Sequence, residues 1–433
     1  MKKPQIAALV LAAVFCCAQL ASCNSGDSNG SGDSSDPVGS GDSVDSGGSG
    51  GSVDSVGSGG SIGSGGSGGS GSSTIKVGIL APLSGSVAQY GINVRNGAKL
   101  YFDQINAAGG IVGKMVEVIE YDGEGDPAKA VTGYNSLLDK GVTAIIGDVT
   151  TTPTLAVVPE AFKDNIPMIT ASATAVAVTF NEETGQQYSN MFRSCFIDPF
   201  QGQKMAAFSV DVVDATKAAV LYNIGSDYST GVKDAYVASA GNFGLEIVAS
   251  EGYADGAVDF QSQLANIASK SPDVLFVPDY YETIALVAQQ ARGAGLSATM
   301  LGVDGWDAVL TVVTDPSLLE GAYYCSGYSS EDTNPAVSQF LEDYKTAYDA
   351  EPNMFSAQGY DAAMILADAL KMAEDQKLGT GSDEYRSAVI AAMKATNIDC
   401  VTGHITYDAQ NNPEKDAVII KLTGGEAKFW GKF

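Results

Sequence analysis

Three short segments place hydroxyl or charged side chains where the chain should turn out of a strand. Thr150-Thr151-Thr152-Pro153 follows a predicted strand over 143–146 and opens a predicted helix over 153–165. Proline suits a first helical turn and the amides there lack helical partners, so Thr151 and Thr152 can offer hydroxyl and N–H donors together to a carboxylate. Plain N-capping by one threonine accounts for the same residues. Ser172-Ala173-Thr174 lies just past a strand over 167–170, where backbone groups are free, although a simple turn would also use these residue types. Asp304, next to Gly305 at the end of a β-rich run over 299–303, would pair with an ammonium group, a bond that is strong when water is excluded. Tyr280, just beyond a strand over 274–277, adds a hydroxyl. Tyr90, Tyr228 and Trp306, with Phe200 and Phe355 as further candidates, are aromatics in loops that either wall an apolar pocket or simply pack.

Much other chemistry is absent from the sequence. The chain has a single histidine, His404, whereas common zinc sites draw on several imidazoles and a hydrolytic triad needs one. No GxxxxGK[ST], HExxH or GxSxG sequence occurs, so phosphate-loop, zinc-protease and serine-hydrolase readings lack an anchor. Asp122-Gly123-Glu124-Gly125-Asp126 looks like the start of a calcium loop, but Gly133 stands where the twelfth-position glutamate is required, and a strand end plus helix cap explains it better. The 433 residues carry a net charge of −27. With a pI near 4.2, a surface that tracks phosphates is excluded, and with it nucleic-acid binding. No metal, no cofactor and no catalytic residue is expected; a carboxylate-based hydrolase is the enzymatic alternative that fold alone leaves open.

The elements that must position these residues alternate between strand and helix. Strands over 75–80, 115–121, 143–146 and 167–170 are separated by helices over 91–107, 127–140 and 153–165. A second series has helices over 201–213, 228–240 and 260–268 with strands over 218–222, 246–249 and 274–277. Three more helices follow (336–348, 356–374, 383–395), then a terminal strand pair over 403–407 and 417–422. This is the pattern of α/β architecture with two Rossmann-like lobes on parallel-sheet cores. Ligands of such sheets bind beyond the carboxyl ends of the strands, so the cleft between the lobes is the expected site.

Before the folded part come two segments of different character. Lys2 and Lys3, an apolar run over 6–20 and Leu20-Ala21-Ser22-Cys23 form a secretory signal too short to span a membrane. Its end resembles the bacterial lipobox, which implies a signal peptide over 1–22 and a lipidated Cys23. Residues 24–73 hold 18 Gly, 18 Ser and six Asp with no aromatic, a composition that cannot bury a core and reads as a flexible tether. Removing Lys2, Lys3 and those six Asp leaves 22 basic and 45 acidic residues beyond 73, so the acidity belongs to the folded part. Cys195, Cys325 and Cys400 remain there, enough for one disulfide at most, and single cysteines of this kind are commonly small buried apolar residues.

Residues 80–91, LAPLSGSVAQYG, resemble the first strand-to-helix loop of the leucine/isoleucine/valine-binding proteins, the type I periplasmic binding proteins of ABC importers. Residues 147–152 (GDVTTT), 169–174 (ITASAT), 278–282 (PDYYE) and 302–307 (GVDGWD) resemble that family's ligand-contact segments in the same order. The resemblance spans 74–433 and implies three crossover segments, expected near 196, 327 and 401. It thus implies a first lobe of 74–196 plus 328–400 and a second of 197–327 plus 401–433. It also implies that Thr151 and Thr174 bind ligand through their side chains and Ser172 or Ala173 through backbone atoms, that Asp304 and Tyr280 contribute a carboxylate and a hydroxyl, and that Tyr90 and Tyr228 wall the side chain, with Trp306 joining them on its loop position alone. At 304 the chain departs from the family's branched-chain members, which often carry the longer glutamate. The function implied is that of a monomeric, lipid-anchored extracytoplasmic receptor that passes an amino acid to a membrane ABC permease. A ligand-sensing domain of a signalling system is the alternative use of the same fold.

Overall fold

The structure, a computed structural model, describes residues 74–433. The signal, Cys23 and the tether lie outside the described residues.

The described residues open with β1 (Thr74–Ala81), in which Ile75, Val77, Ile79, Leu80 and Ala81 are wholly buried. An apolar run covered on both faces belongs at the centre of a parallel sheet. α1 (Ala88–Ala107), β2 (Met115–Asp122), α2 (Pro127–Asp139), β3 (Ala144–Ile146), α3 (Thr151–Lys163) and β4 (Met168–Thr170) follow. A small hairpin, β5 (Phe180–Asn181) with β6 (Gln186–Gln187), precedes β7 (Met191–Arg193). The first sheet has the order β2-β1-β3-β4-β7, all parallel. Asp126 caps α2 by accepting from Lys129 N at 2.8 Å, and Asp122 accepts from Leu83 N, Ser84 and Glu124 N. The Asp122–Asp126 segment is therefore a strand end and a helix cap.

The second lobe is built from α4 (Asp198–Asp211), β8 (Lys217–Asn223), α5 (Asp227–Ala240), β9 (Glu246–Tyr253), α6 (Gln261–Ser269), β10 (Val274–Phe276), α7 (Tyr281–Gly293), β11 (Thr299–Gly302) and β12 (Tyr323–Ser326). The chain then returns to the first lobe as α8 (Pro335–Tyr348), α9 (Met354–Asp375) and α10 (Asp383–Lys394), and continues into β13 (Asn397–Cys400) and β14 (Gly403–Thr406). α9 packs on α1 at crossing glycines: a Cβ on Gly97 would stand 1.9 Å from Ser356 O, and one on Gly359 2.3 Å from Val94 O. β15 (Val418–Thr423) and β16 (Glu426–Lys432) complete the second sheet, order β16-β15-β12-β11-β10-β8-β9, with the last two strands antiparallel.

Two sequence expectations need correction here. The strands over 403–407 and 417–422 do not pair with each other: β14 pairs with β13, whereas β15 lies between β12 and β16. The third passage between lobes also falls later than 401. Val401 N and Thr402 N bond to Asp361 of α9, Tyr407 OH to Arg193 O and Asn411 Nδ2 to Met191 O, so these residues stay with the first lobe. Cys195, Cys325 and Cys400 are buried free thiols.

Candidate functional site

The carboxyl ends of strands from both sheets converge on a small cavity lined from both lobes. From the first lobe, the turn after β3 delivers Val149, Thr150 and Thr151 at the start of α3, and the turn after β4 delivers Ser172. α1 contributes Tyr90 and the second residue of α9 is Phe355. From the second lobe come Tyr228 in the first turn of α5, Tyr280 at the N-cap of α7, and Asp304 with Gly305 just past β11.

Asp304 is 3% exposed. Its Oδ1 accepts from Tyr228 OH at 2.6 Å and from Gly305 N at 3.0 Å, while its own amide donates to Gln201 Oε1 at 3.0 Å. Burial pushes this carboxyl up to about 6, with the Tyr228 and Gln201 hydrogen bonds pulling against it. A cation reaching the carboxylate would relieve that cost, as expected of a binding group left without a countercharge. On the opposite side, Thr151 Oγ1 is buried with no hydrogen-bond partner. Beside it, the Ser172 hydroxyl donates to Val149 O at 2.7 Å.

Four aromatic rings enclose the space between. Tyr228 and Tyr280 stack with centroids 5.0 Å apart and planes within 6°, and Tyr90 stacks on Phe355 at 4.2 Å. Tyr90 meets Tyr280 edge-on at 5.6 Å, so the two pairs share a corner. Such contacts fix ring orientation and leave an apolar wall with hydroxyls at its rim.

The lobes are also latched to each other directly. Tyr90 OH donates to Gly305 O at 2.5 Å and accepts from Tyr281 N at 3.1 Å. Asp307 accepts from Asn353 Nδ2 and Met354 N, both at 3.1 Å, so a carboxylate of the second lobe caps the start of α9 in the first. At Gly305 a Cβ would stand 2.7 Å from Asp279 O and 2.8 Å from Tyr228 OH, which is why glycine follows the carboxylate.

Of the residues singled out from sequence, Tyr90, Thr151, Ser172, Tyr228, Tyr280, Asp304 and Phe355 share this cavity. Ala173, Thr174, Trp306 and Phe200 do not line it. Ala173 N bonds to Thr170 Oγ1 and its carbonyl accepts from the buried Arg193, so both backbone groups are engaged on the far side of the turn. Thr174 turns its hydroxyl towards Asp198, near enough to lower that carboxyl's proton affinity but outside hydrogen-bond geometry. Trp306 is wholly buried, its Nε1 donating to Val277 O at 2.8 Å and its ring lying over Gly302, where a Cβ would stand 2.1 Å away. Phe200 packs against Phe196. Sequence reasoning missed Gln201, which holds the Asp304 amide from the buried face of α4, and Gly305. Nothing local marks Gln201, since its partner lies 103 positions away.

Residues 74–426 match the periplasmic binding protein family. The Leu/Ile/Val-binding protein BraC3 of Rhizobium johnstonii is 28% identical over 334 residues, 77% of this chain and 87% of that protein. Among solved structures, the leucine binding protein LivK from Thermotoga maritima is 28% identical with a TM-score of 0.75, covering 83% of this chain and 98% of its own. The branched-chain amino acid transporter substrate binding protein LivJ from Streptococcus pneumoniae, solved in complex with isoleucine, is 30% identical with a TM-score of 0.74, covering 83% of this chain and 100% of its own.

Proposed function

The chain belongs to the periplasmic binding protein family, and on that premise we propose that it binds an amino acid with a branched or other apolar side chain and delivers it to an ABC permease. The observation that carries this reading is the opposition of Asp304 and Thr151 across an aromatic box. The ligand's ammonium sits at the Asp304 carboxylate, and its own carboxylate meets the Thr151 hydroxyl at the positive end of α3. Its side chain lies between the Tyr228–Tyr280 and Tyr90–Phe355 stacks. The names of BraC3, LivK and LivJ support the same ligand class.

Binding then needs no bond to be made or broken. The ligand reaches Thr151 and Ser172 on one lobe and Asp304 on the other, so it favours the closed arrangement over the open one by the contacts that only closure provides. Cys23 carries the lipid that holds the receptor at the outer face of the cell membrane, and the tether over 24–73 lets the folded part reach the permease. The test is a thermal-shift screen of protein refolded to strip retained ligand, against the twenty amino acids. Leucine, isoleucine or valine should raise the melting temperature; silence from all twenty would overturn the reading.

A further inference from the structure

The short turn that carries Asp304 reaches the first lobe twice more. Gly305 O accepts from Tyr90 OH at 2.5 Å. Asp307 uses both carboxylate oxygens, Oδ1 accepting from Asn353 Nδ2 and Oδ2 from Met354 N, each at 3.1 Å. These donors belong to the N-cap and the first residue of α9, so a carboxylate of the second lobe sits on the positive end of a 22-residue helix of the first. The helix does not depend on it for capping. Asn353 and Ser356 already form a reciprocal capping box, with Asn353 Oδ1 accepting from Ser356 N at 3.1 Å and Ser356 Oγ from Asn353 N at 2.7 Å. The Asp307 contact is therefore made between lobes, in addition to what holds the helix.

Keeping Asp307 there is costly for the fold. The residue is 8% exposed, and no lysine, arginine or histidine among the described residues pairs with it. Ala308, next in the chain, takes a left-handed backbone with φ 73°, which alanine adopts only under strain. A buried carboxylate without a countercharge, followed by a strained residue, points to a contact kept for more than folding. The residue after Met354 is Phe355, whose ring stacks on Tyr90 at 4.2 Å and lines the amino-acid cavity. Both first-lobe rings of the cavity are thus gripped by the turn that presents Asp304: Tyr90 through its hydroxyl, Phe355 through the helix end that bears it.

We propose that Asp307 is a closure latch, a positioning residue that touches no ligand and sets how long the amino acid stays bound by holding Phe355 and the start of α9 against the second lobe. This rests on the amino-acid reading given above. Asp307 does not line the cavity, so it acts only once the lobes have met. Release must break its two bonds, whereas entry into the open cleft need not form them. Its loss should therefore appear in dissociation rather than association.

The experiment loads the full chain with labelled isoleucine, follows release into an excess of unlabelled isoleucine, and combines that rate with the calorimetric affinity. Asp307→Ala should release about tenfold faster or more, with association changed by less than about threefold. Asp307→Asn, which keeps the size and loses the charge, should release about threefold faster or more. Phe355→Ala also speeds release, and adding Asp307→Ala to it should change the rate by less than about threefold, because the latch acts through that ring. Unchanged release, a loss carried by slower association, or full additivity with Phe355→Ala would overturn the assignment. Hydrogen exchange at Met354 N reads the latch with no ligand: Asp307→Ala should speed it about tenfold, and the amide of Ser356, held within the capping box, by less than about threefold. A wild-type chain that holds no isoleucine would sink the amino-acid reading alone, and exchange at Met354 would then decide the latch, an unchanged rate overturning it. Should Asp307→Ala fail to fold, Asp307→Asn gives the same readings.

Discussion

Asp304 carries the polar half of the proposed recognition, because its charge is buried, held by Tyr228 and Gly305, and matched by no cation among the described residues. Replacing it with alanine should leave the fold intact and weaken amino-acid binding by about 2–5 kcal/mol in calorimetry, the range measured when one member of a buried charge pair is removed. Unchanged affinity would remove Asp304 from the site. Tyr90 acts differently, since its hydroxyl joins the lobes through Gly305 O and Tyr281 N. Tyr90→Phe keeps the ring stack and loses these bonds, so affinity should fall by about 1 kcal/mol with little change in the ligand's preferred side chain. At this scale the sequence was legible wherever strand-end position and residue type coincide, as at Thr151, Tyr280 and Asp304. It was not legible where a side chain's direction depends on a turn. Asp304 and Trp306 share one short 3-10 turn, yet one faces the cavity and the other is packed on Gly302 beneath it. Ser172 and Thr174 part in the same way around the Arg193 anchor.

The elements do two jobs: strand ends present the binding groups, and helices hold the lobes in shape. The crossing of α1 and α9 depends on backbone approach at Gly97 and Gly359. A valine at position 97 would drive its Cβ into Ser356 O, and Gly97→Val should lower stability by about 3 kcal/mol, read as a reduced urea midpoint. Phe355 at the start of α9 would be displaced with it, so binding should weaken too. The strands and helices of the first lobe are legible because their apolar runs are long and punctuated, as β1 and the Asp126-capped α2 show. The sequence reading placed no element over 281–293, yet α7 there carries a regular apolar stripe of Ile284, Val287, Ala288 and Ala291. β16 was missed for a physical reason, being a mostly exposed edge strand, EAKFWGK, with little apolar alternation to mark it. The pairing of β15 with β12 rather than β14 is set by long-range contacts that no local pattern encodes.

For the whole molecule, the buried carboxyls set a pH dependence. Burial raises Asp148 to about 7, Asp198 to about 8, and Asp279, Asp304 and Asp307 to about 6. A carboxyl whose folded value lies above its unfolded one binds more protons when folded, so its contribution is greatest below the unfolded value and is lost as pH rises through the folded one. The ligand-free protein should therefore melt at a higher temperature near pH 5 than near pH 8, helped by relief of repulsion in a chain of net charge −27. An ammonium at Asp304 reverses one of these terms, so the rise in melting temperature produced by a bound amino acid should be larger near pH 8 than near pH 5. Differential scanning calorimetry with and without isoleucine checks both. The direct test of the central claim is a calorimetric titration of isoleucine into ligand-stripped wild-type protein and Asp304→Asn side by side. The account predicts one isoleucine per wild-type chain and at least a tenfold loss of affinity in the variant. Equal affinity in the two, or no binding of isoleucine, leucine or valine by the wild type, would contradict it.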